Sequence, residues 1–225
     1  MKTISTYGAS LIDAMGDDDA VVDAARVSFD KIASNYSLEQ NEKLIWFLAR
    51  EGHWSPFSHC YLKFRVKAPL FVARQCQKHT VGLAWNEVSR RYVDSEPEFY
   101  VPEMWRARAE DVKQGSSDEA VDLLGYQGFR RRTPQEALDR LMEHAYDTYS
   151  EMIEEGVAPE MARMVLPQST MTEWIWSGSL YAFARVCKER LHPSAQRETR
   201  WVAEDIAEAL AEKFPVSWQA LGPKD

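Results

Sequence analysis

Apolar and polar positions change rhythm several times along the 225-residue chain, and each rhythm predicts an element. From Leu38 the apolar residues recur at helical spacing through Leu44, Ile45, Phe47 and Leu48. Ser37 stands at the N-cap position with Gln40 as its capping-box partner, and Gly52 closes the run, so a helix is predicted over about 38–51. From Cys60 to Val66 the period shortens: apolar residues alternate with Tyr61, Lys63 and Arg65, which predicts a strand with one buried face. Pro69 follows and is placed to open a helix running to about Lys78. A short apolar stretch, Val21 to Phe29, precedes all of these.

Downstream the pattern is less regular. Residues 79–102 have no clean period and contain Gly82, Pro97 and Pro102, so loop with short ordered pieces is expected. The stretch 107–133 is charged, holds the run K-Q-G-S-S-D-E, and reads as a variable insert. Helical spacing returns over 134–155, with Leu138, Leu141, Ala145, Tyr149 and Met152 on one face. A second helix starts near Pro159 and is interrupted near Pro167; further helices are expected over 171–190 and 193–213. No internal repeat is present. The expected fold class is α+β: one mostly helical domain, residues 1–225, with a small antiparallel sheet.

Charge and composition narrow the function. The formal net charge is -8, which argues against a nucleic-acid partner. No apolar run approaches the roughly 18 residues of a membrane span, and the N-terminal stretch lacks the apolar core of a signal peptide, so no membrane association and a cytoplasmic location are expected. Three separated cysteines fit a reducing compartment and not a disulfide scaffold. Eight tryptophans supply apolar bulk for a real core.

Against that acidic background, residues 74–92 (R-Q-C-Q-K-H-T-V-G-L-A-W-N-E-V-S-R-R-Y) set Arg74, Lys78, His79, Arg90 and Arg91 against the single carboxylate of Glu87. Gln75, Gln77, Asn86, Thr80 and Ser89 add hydrogen-bonding groups between them. Guanidinium forks suit a phosphate, and paired amide donors and acceptors suit a pyrimidine or flavin ring. The same residues could instead form a solvated, ion-paired helix face. Dinucleotide, phosphate-loop, nucleophile-elbow and H-E-x-x-H motifs are absent. His53 and His59 have no cysteine or acidic partner at ligand spacing, so no metal site is expected.

H-W-S-P-F-S-H-C-Y-L-K-F-R-V-K-A-P-L-F-V-A-R-Q (53–75), then K-H and N-E-V-S-R-R-Y (86–92), resembles the flavin-dependent thymidylate synthases. The likeness continues at G-V-A-P-E-M-A-R-M-V-L-P (156–167) and around Arg190 to Gln196, and is weakest over 105–133. Such a resemblance implies reductive methylation of dUMP to dTMP, with methylenetetrahydrofolate as carbon donor, FADH2 as hydride source and NADPH as reductant of the flavin. It also implies a homotetramer with shared active sites. By matching position, Gln75, Glu87, Val88, Ser89, Arg90 and Arg91 are expected at the nucleotide, with Arg163 and Arg190 as further cations; Arg190 and Ser89 are the expected catalytic pair. His53, Ser55, Lys78, His79, Thr80 and Asn86 match cofactor positions.

Ser89 has no histidine placed by sequence to deprotonate it, so polarising and positioning the pyrimidine is its expected role. Cys76 in a helix reads as core filling. The chain departs from the family's R-H-R triplet, carrying Lys78-His79-Thr80, and the loop to Ser89 is one residue longer. Lysine cannot reproduce an arginine fork, so the flavin's phosphates are expected to be held differently. Two competing readings follow: a flavin- and folate-dependent hydroxymethylation, and a nucleotide-binding homologue without catalysis.

Overall fold

The computed structural model describes residues 1–110, 115–125 and 132–223. In chain order its strands are β1 (Lys2–Ile4), β2 (Gly8–Met15), β3 (Tyr61–Pro69), β4 (Leu83–Glu87), β5 (Glu98–Tyr100), β6 (Arg106–Arg108), β7 (Ser116–Ala120) and β8 (Met171–Ser179). The helices are α1 (Asp18–Arg26), α2 (Leu38–Arg50), α3 (Leu70–Cys76), α4 (Pro134–Glu154), α5 (Pro159–Ala162), α6 (Leu180–Arg190), α7 (Arg197–Lys213) and α8 (Pro215–Leu221). The mixed helix-and-strand class agrees with expectation. The chain separates into two compact units: Met1–Tyr7, Lys67–Gln75 and Glu87–Glu173 form the first, and Gly8–Val66, Cys76–Asn86 and Trp174–Asp225 the second.

In the first unit β1 lies parallel to β5, with Lys2 opposite Glu98 and Ile4 opposite Tyr100. This two-stranded sheet is parallel, and the antiparallel pairing expected is found between β6 and β7. Backbone bonds knit the unit further: Leu70 N–H donates to Thr170 O (2.9 Å), and Tyr100 N–H donates to Ser169 O (2.8 Å). Tyr100 packs edge-on against Tyr7, with ring centroids 5.3 Å apart. β6 and β7 pair antiparallel with an irregularity between Arg106 and Arg108, so part of the predicted insert is an ordered ribbon. Its residues 111–114 and 126–131 lie outside the described residues. α4 starts as its sequence dictates: the Thr133 hydroxyl accepts from Glu136 N–H while the Glu136 carboxylate accepts from Thr133 N–H, with Pro134 at the first helical position.

The second unit is built on aromatic packing. Trp85 stacks on Trp174 at 4.3 Å, and Trp176 meets Phe183 edge-on at 5.5 Å, as Phe64 does at 4.9 Å. Each such pair contributes about 0.5–1.5 kcal/mol beyond its buried area. Acids tie the elements of this unit together. Asp18 accepts from Val216 N–H and Ser217 N–H at the start of α8, and Asp205 accepts from Ala9 N–H at 2.7 Å. Burial raises the Asp205 carboxyl above its ordinary value. The Ser37/Gln40 capping box opens α2 as expected.

Two expectations are corrected. Residues 171–179 form β8, not the first turns of a helix; Trp174, Trp176 and Gly178 alternate as its buried positions, and Thr, Ile and Trp favour an extended chain. The helix begins only at Leu180, where the Ser179 hydroxyl accepts from Ala182 N–H. The helix expected from Pro69 to Lys78 is shorter, Leu70–Cys76, because Pro69 ends β3. Within 79–102 the ordered pieces are β4 and β5.

Candidate functional site

The site residues expected from sequence fall into two groups, one per unit. In the first unit β4 ends on Glu87, and Val88 N–H donates to Glu173 O at 2.9 Å. That contact aims the following residues at a cavity of about 390 Å³ whose wall includes Glu87, Val88, Arg90 and Arg163. Sequence reasoning missed Lys67, Thr172, Glu173, Glu96 and Glu98 in the same wall. A period-two pattern marks β3 and β8 as strands but does not say which of their ends meets the cavity.

The charges of this wall are tethered in an ordered way. Arg90 donates to Ser95 O (2.9 Å) and Arg163 to Glu160 O (3.3 Å), both neutral carbonyls. The carboxylates are held by other groups. Glu98 is bridged by Lys2 and Lys67, Glu96 accepts from the Tyr146 hydroxyl at 3.2 Å, and Glu87 accepts from the Thr172 hydroxyl at 2.7 Å. The hydrogen bonds from Lys2 and then Lys67 hold the Glu98 carboxyl below the ordinary carboxylate value. Among the described residues no ion pair joins Arg90 or Arg163 to an acid. Two guanidinium charges thus face the cavity without a carboxylate partner, which is the electrostatics an incoming anion requires.

The remaining expected nucleotide residues of this unit lie outside that wall. The Ser89 hydroxyl accepts from Arg91 Nε at 3.0 Å, and the exposed Arg91 guanidinium sits 4.9 Å from the Tyr92 ring. Among the described residues the Ser89 side chain meets the Arg91 guanidinium and no histidine. Gln75 ends the first-unit segment of α3, with its amide directed back toward Phe71 O at 3.5 Å.

In the second unit Arg190, the last residue of α6, donates from Nε to His79 Nε2 at 2.9 Å. An imidazole nitrogen that accepts this bond carries no proton, so His79 is neutral here with its proton on Nδ1. Burial, then the Arg190 charge, lowers the His79 value below its ordinary 6.5. Gly82 makes the loop between them possible. Its φ of +77° suits glycine, and an added Cβ would stand 3.1 Å from Ala182 Cβ. Gly178 is equally committed, since a Cβ there would lie 2.6 Å from Gly82 O. Cys76 is buried with its thiol pushed up to about 12, so it holds no thiolate near neutral pH.

A second cavity of about 370 Å³ lies wholly in this unit, lined by His53, Trp54, Tyr181, Arg185 and Lys188 together with apolar groups and no carboxylate. Trp54 and Tyr181 stand 6.4 Å apart, and His53 stacks on Phe47 at 5.9 Å. Of the expected cofactor residues only His53 lines this wall. Ser55, Lys78, Thr80 and Asn86 are exposed outside it. Ser55 caps the short turn at Pro56–Ser58, its carbonyl accepting from Ser58 N–H. Among the described residues no cluster of His, Cys, Asp and Glu is arranged to hold a metal, and no helix is long and apolar enough to cross a membrane.

The profile of the family described as "Thymidylate synthase complementing protein" matches residues 10–216. The chain is 42% identical over 216 residues to a flavin-dependent thymidylate synthase of Thermus thermophilus, covering 94% of this chain and 74% of the relative. It is 38% identical over 214 residues to that of Thermosipho africanus, covering 94% and 89%. The chain belongs to the flavin-dependent thymidylate synthase family. Among solved structures, a UMP/dUMP methylase, PolB from Streptomyces cacaoi bound with 5-Br dUMP, superposes with a TM-score of 0.81 at 29% identity, covering 98% of this chain and 96% of that one.

A flavin-dependent thymidylate synthase needs a place for a flavin, and the second-unit cavity has suitable chemistry. Trp54 and Tyr181 offer flat apolar faces to an aromatic ring, and Arg185 and Lys188 offer positive charge to a pyrophosphate. Neither Tyr181 nor Arg185 was among the cofactor residues expected from sequence. Their helical spacing puts them one turn apart on α6, with Lys188 three residues farther, and this was the signal available.

Proposed function

We propose that this chain is a flavin-dependent thymidylate synthase that methylates dUMP to dTMP, with the nucleotide in the first-unit cavity and FAD in the second-unit cavity. The observation that carries the reading is the pair of guanidinium groups, Arg90 and Arg163, anchored on carbonyl oxygens and left without acidic partners among the described residues. A nucleotide monophosphate supplies the missing anion. Glu87 and the backbone around Val88 supply hydrogen-bonding groups to its sugar or base. Ser89 and Arg91, tied to each other, contribute from the adjoining loop.

A bound reduced flavin would supply the hydride equivalent that turns the one-carbon unit of methylenetetrahydrofolate into a methyl group, with NADPH as its reductant. The chain's own residues bind, orient and set charge. Within the second unit, neutral His79 accepts from Arg190 and holds that guanidinium as an oriented cation. His53, Trp54 and Tyr181 hold the aromatic part of the cofactor; Arg185 and Lys188 take the phosphate role that Lys78 and Thr80 fill poorly in place of arginines. Assembly as a homotetramer is part of the same reading. The test is mass spectrometry of the product from dUMP, methylenetetrahydrofolate, FAD and NADPH. A gain of one methyl group is expected; a hydroxymethylated product, or no product from flavin-loaded protein, overturns the reading.

A further inference from the structure

Apart from both cavities, the first unit carries a groove of about 730 Å³ where the chain around β6 and β7 meets the first half of α4. Its origin lies in the sequence of that helix. Met142, Ala145 and Tyr149, at i, i+3 and i+7, are buried and anchor α4. Leu138 and Leu141 stand on a neighbouring stripe that lines the groove, and Leu141 is 55% exposed. A single exposed leucine is ordinary, but Leu124 and the Trp105 ring line the same space. The opposite wall is held by its backbone. Val121 N–H donates to Trp105 O at 2.7 Å, and Leu124 N–H donates to Arg132 O at 2.8 Å. Trp105 Nε1 donates to the Gln135 side chain at 3.3 Å and so ties that wall to α4. The groove is thus formed in advance, which lowers the ordering cost of filling it.

The charges of the groove have one sign. Arg106, Arg132, Arg140 and His144 line it, and among the described residues no Asp or Glu does. The acids next to it in sequence serve α4 itself: Glu136 accepts from Thr133 N–H, and Asp139 accepts from Gln135 Nε2 at 2.7 Å. In a chain of net charge -8, such a concentration of guanidinium draws an anion. The apolar part of the wall decides which kind. A bare phosphate gains nothing from Trp105, Leu138 and Leu141, and a neutral hydrocarbon gains nothing from arginine. Exposed guanidinium groups beside a mostly apolar wall suit a single carboxylate, which they bind as a fork, better than a polyphosphate whose charge would crowd against leucine.

We infer that this groove is a further ligand site, for an aromatic or aliphatic carboxylate whose apolar body lies against Trp105, Leu138 and Leu141 and whose charge is taken by Arg132 and Arg140. The site is independent of the nucleotide and flavin assignments. The test is calorimetric titration of the full chain, saturated with FAD and dUMP, with naphthoate and with laurate. Saturable binding is expected, and the tighter of the two probes shows whether the body is a ring or a chain. Naphthalenemethanol, which lacks the charge, is expected to bind about tenfold more weakly than naphthoate, and inorganic phosphate not to saturate. Arg140→Glu and Leu141→Asp change exposed side chains and leave the buried stripe of α4 intact. Each is expected to weaken the probe about tenfold, whereas Arg108→Ala, an exposed cation outside the groove, changes nothing. The inference is overturned if neither carboxylate saturates, if naphthalenemethanol binds as well as naphthoate, or if phosphate alone binds. Unchanged affinity in both groove variants, or an equal loss in Arg108→Ala, overturns it too. So does probe affinity that falls as the protein is concentrated while sedimentation shows a larger assembly, since a second copy of the chain then fills the groove.

Discussion

The two cavities are built on opposite electrical plans. The first-unit wall carries both signs, with every arginine anchored on a carbonyl and most acids anchored on lysine, tyrosine or threonine. The second-unit wall carries arginine, lysine, histidine, aromatic rings and small apolar groups, with no acid among the described residues. A mixed wall discriminates, because a ligand must present donors, acceptors and charge in the right places to displace nothing. An all-cationic aromatic wall is tolerant and grips any flat polyanion. The contrast suits a substrate that must be selected and a cofactor that must simply stay.

The strongest challenge to this division is Arg163→Ala. Loss of one charge-assisted contact costs about 1.5–3 kcal/mol, so dUMP binding is expected to weaken ten- to a hundredfold with flavin content unchanged. Arg190→Ala, which removes the guanidinium that His79 holds, should lower turnover, read by steady-state kinetics. Arg91, exposed and tied to Ser89, is expected to matter less than either. In the other cavity, Arg185→Ala is expected to lower the flavin retained on purification, measured by absorbance near 450 nm, roughly tenfold in affinity, while dUMP binding holds. Equal damage to both ligands from either substitution would dissolve the distinction.

Smaller effects sharpen it. His79 stays neutral somewhat below its ordinary 6.5 because burial and Arg190 resist its proton. The acid limb of the turnover profile is therefore expected below 6.5, where protonation removes the Arg190 acceptor. The unfolded chain takes up this proton at the ordinary value, so the folded state loses stability as pH falls from 6.5 toward the lowered value and is indifferent to this group above it. Denaturant titrations across that window check the sign. Smallest of all, Cys76→Ala should leave activity intact, since a thiol held near 12 does no chemistry at neutral pH.

Legibility varied with how local the determining physics was. The α2 helix was readable to the residue because Ser37, Gln40 and Gly52 act on backbone groups within a turn of themselves. β8 was misread because Met171 to Ser179 sits directly before a true helix with similar apolar content, and what decides for strand is pairing in a sheet whose partners are remote in sequence. Of the residues that line the two cavities, Glu87, Arg90, Arg163 and His53 were marked by motif position. Thr172, Lys67 and Trp54 were not, since their relevance comes from where strands and turns end in space. Lys78 and Thr80 show the converse: motif position marked them, yet both are exposed and neither lines the second-unit cavity.

The pair of glycines at 82 and 178 has an evolutionary corollary. Each occupies space that the other's neighbourhood has already filled, the backbone oxygen of one resting where a methyl of the other would go. Position 178 therefore cannot acquire any side chain until residues 82 and 83 have shifted, and that shift would disturb the backbone carrying His79 toward Arg190. Descendants of this chain are free to retune the aromatic pocket one residue at a time, but this crossing can only be rewritten in several simultaneous steps.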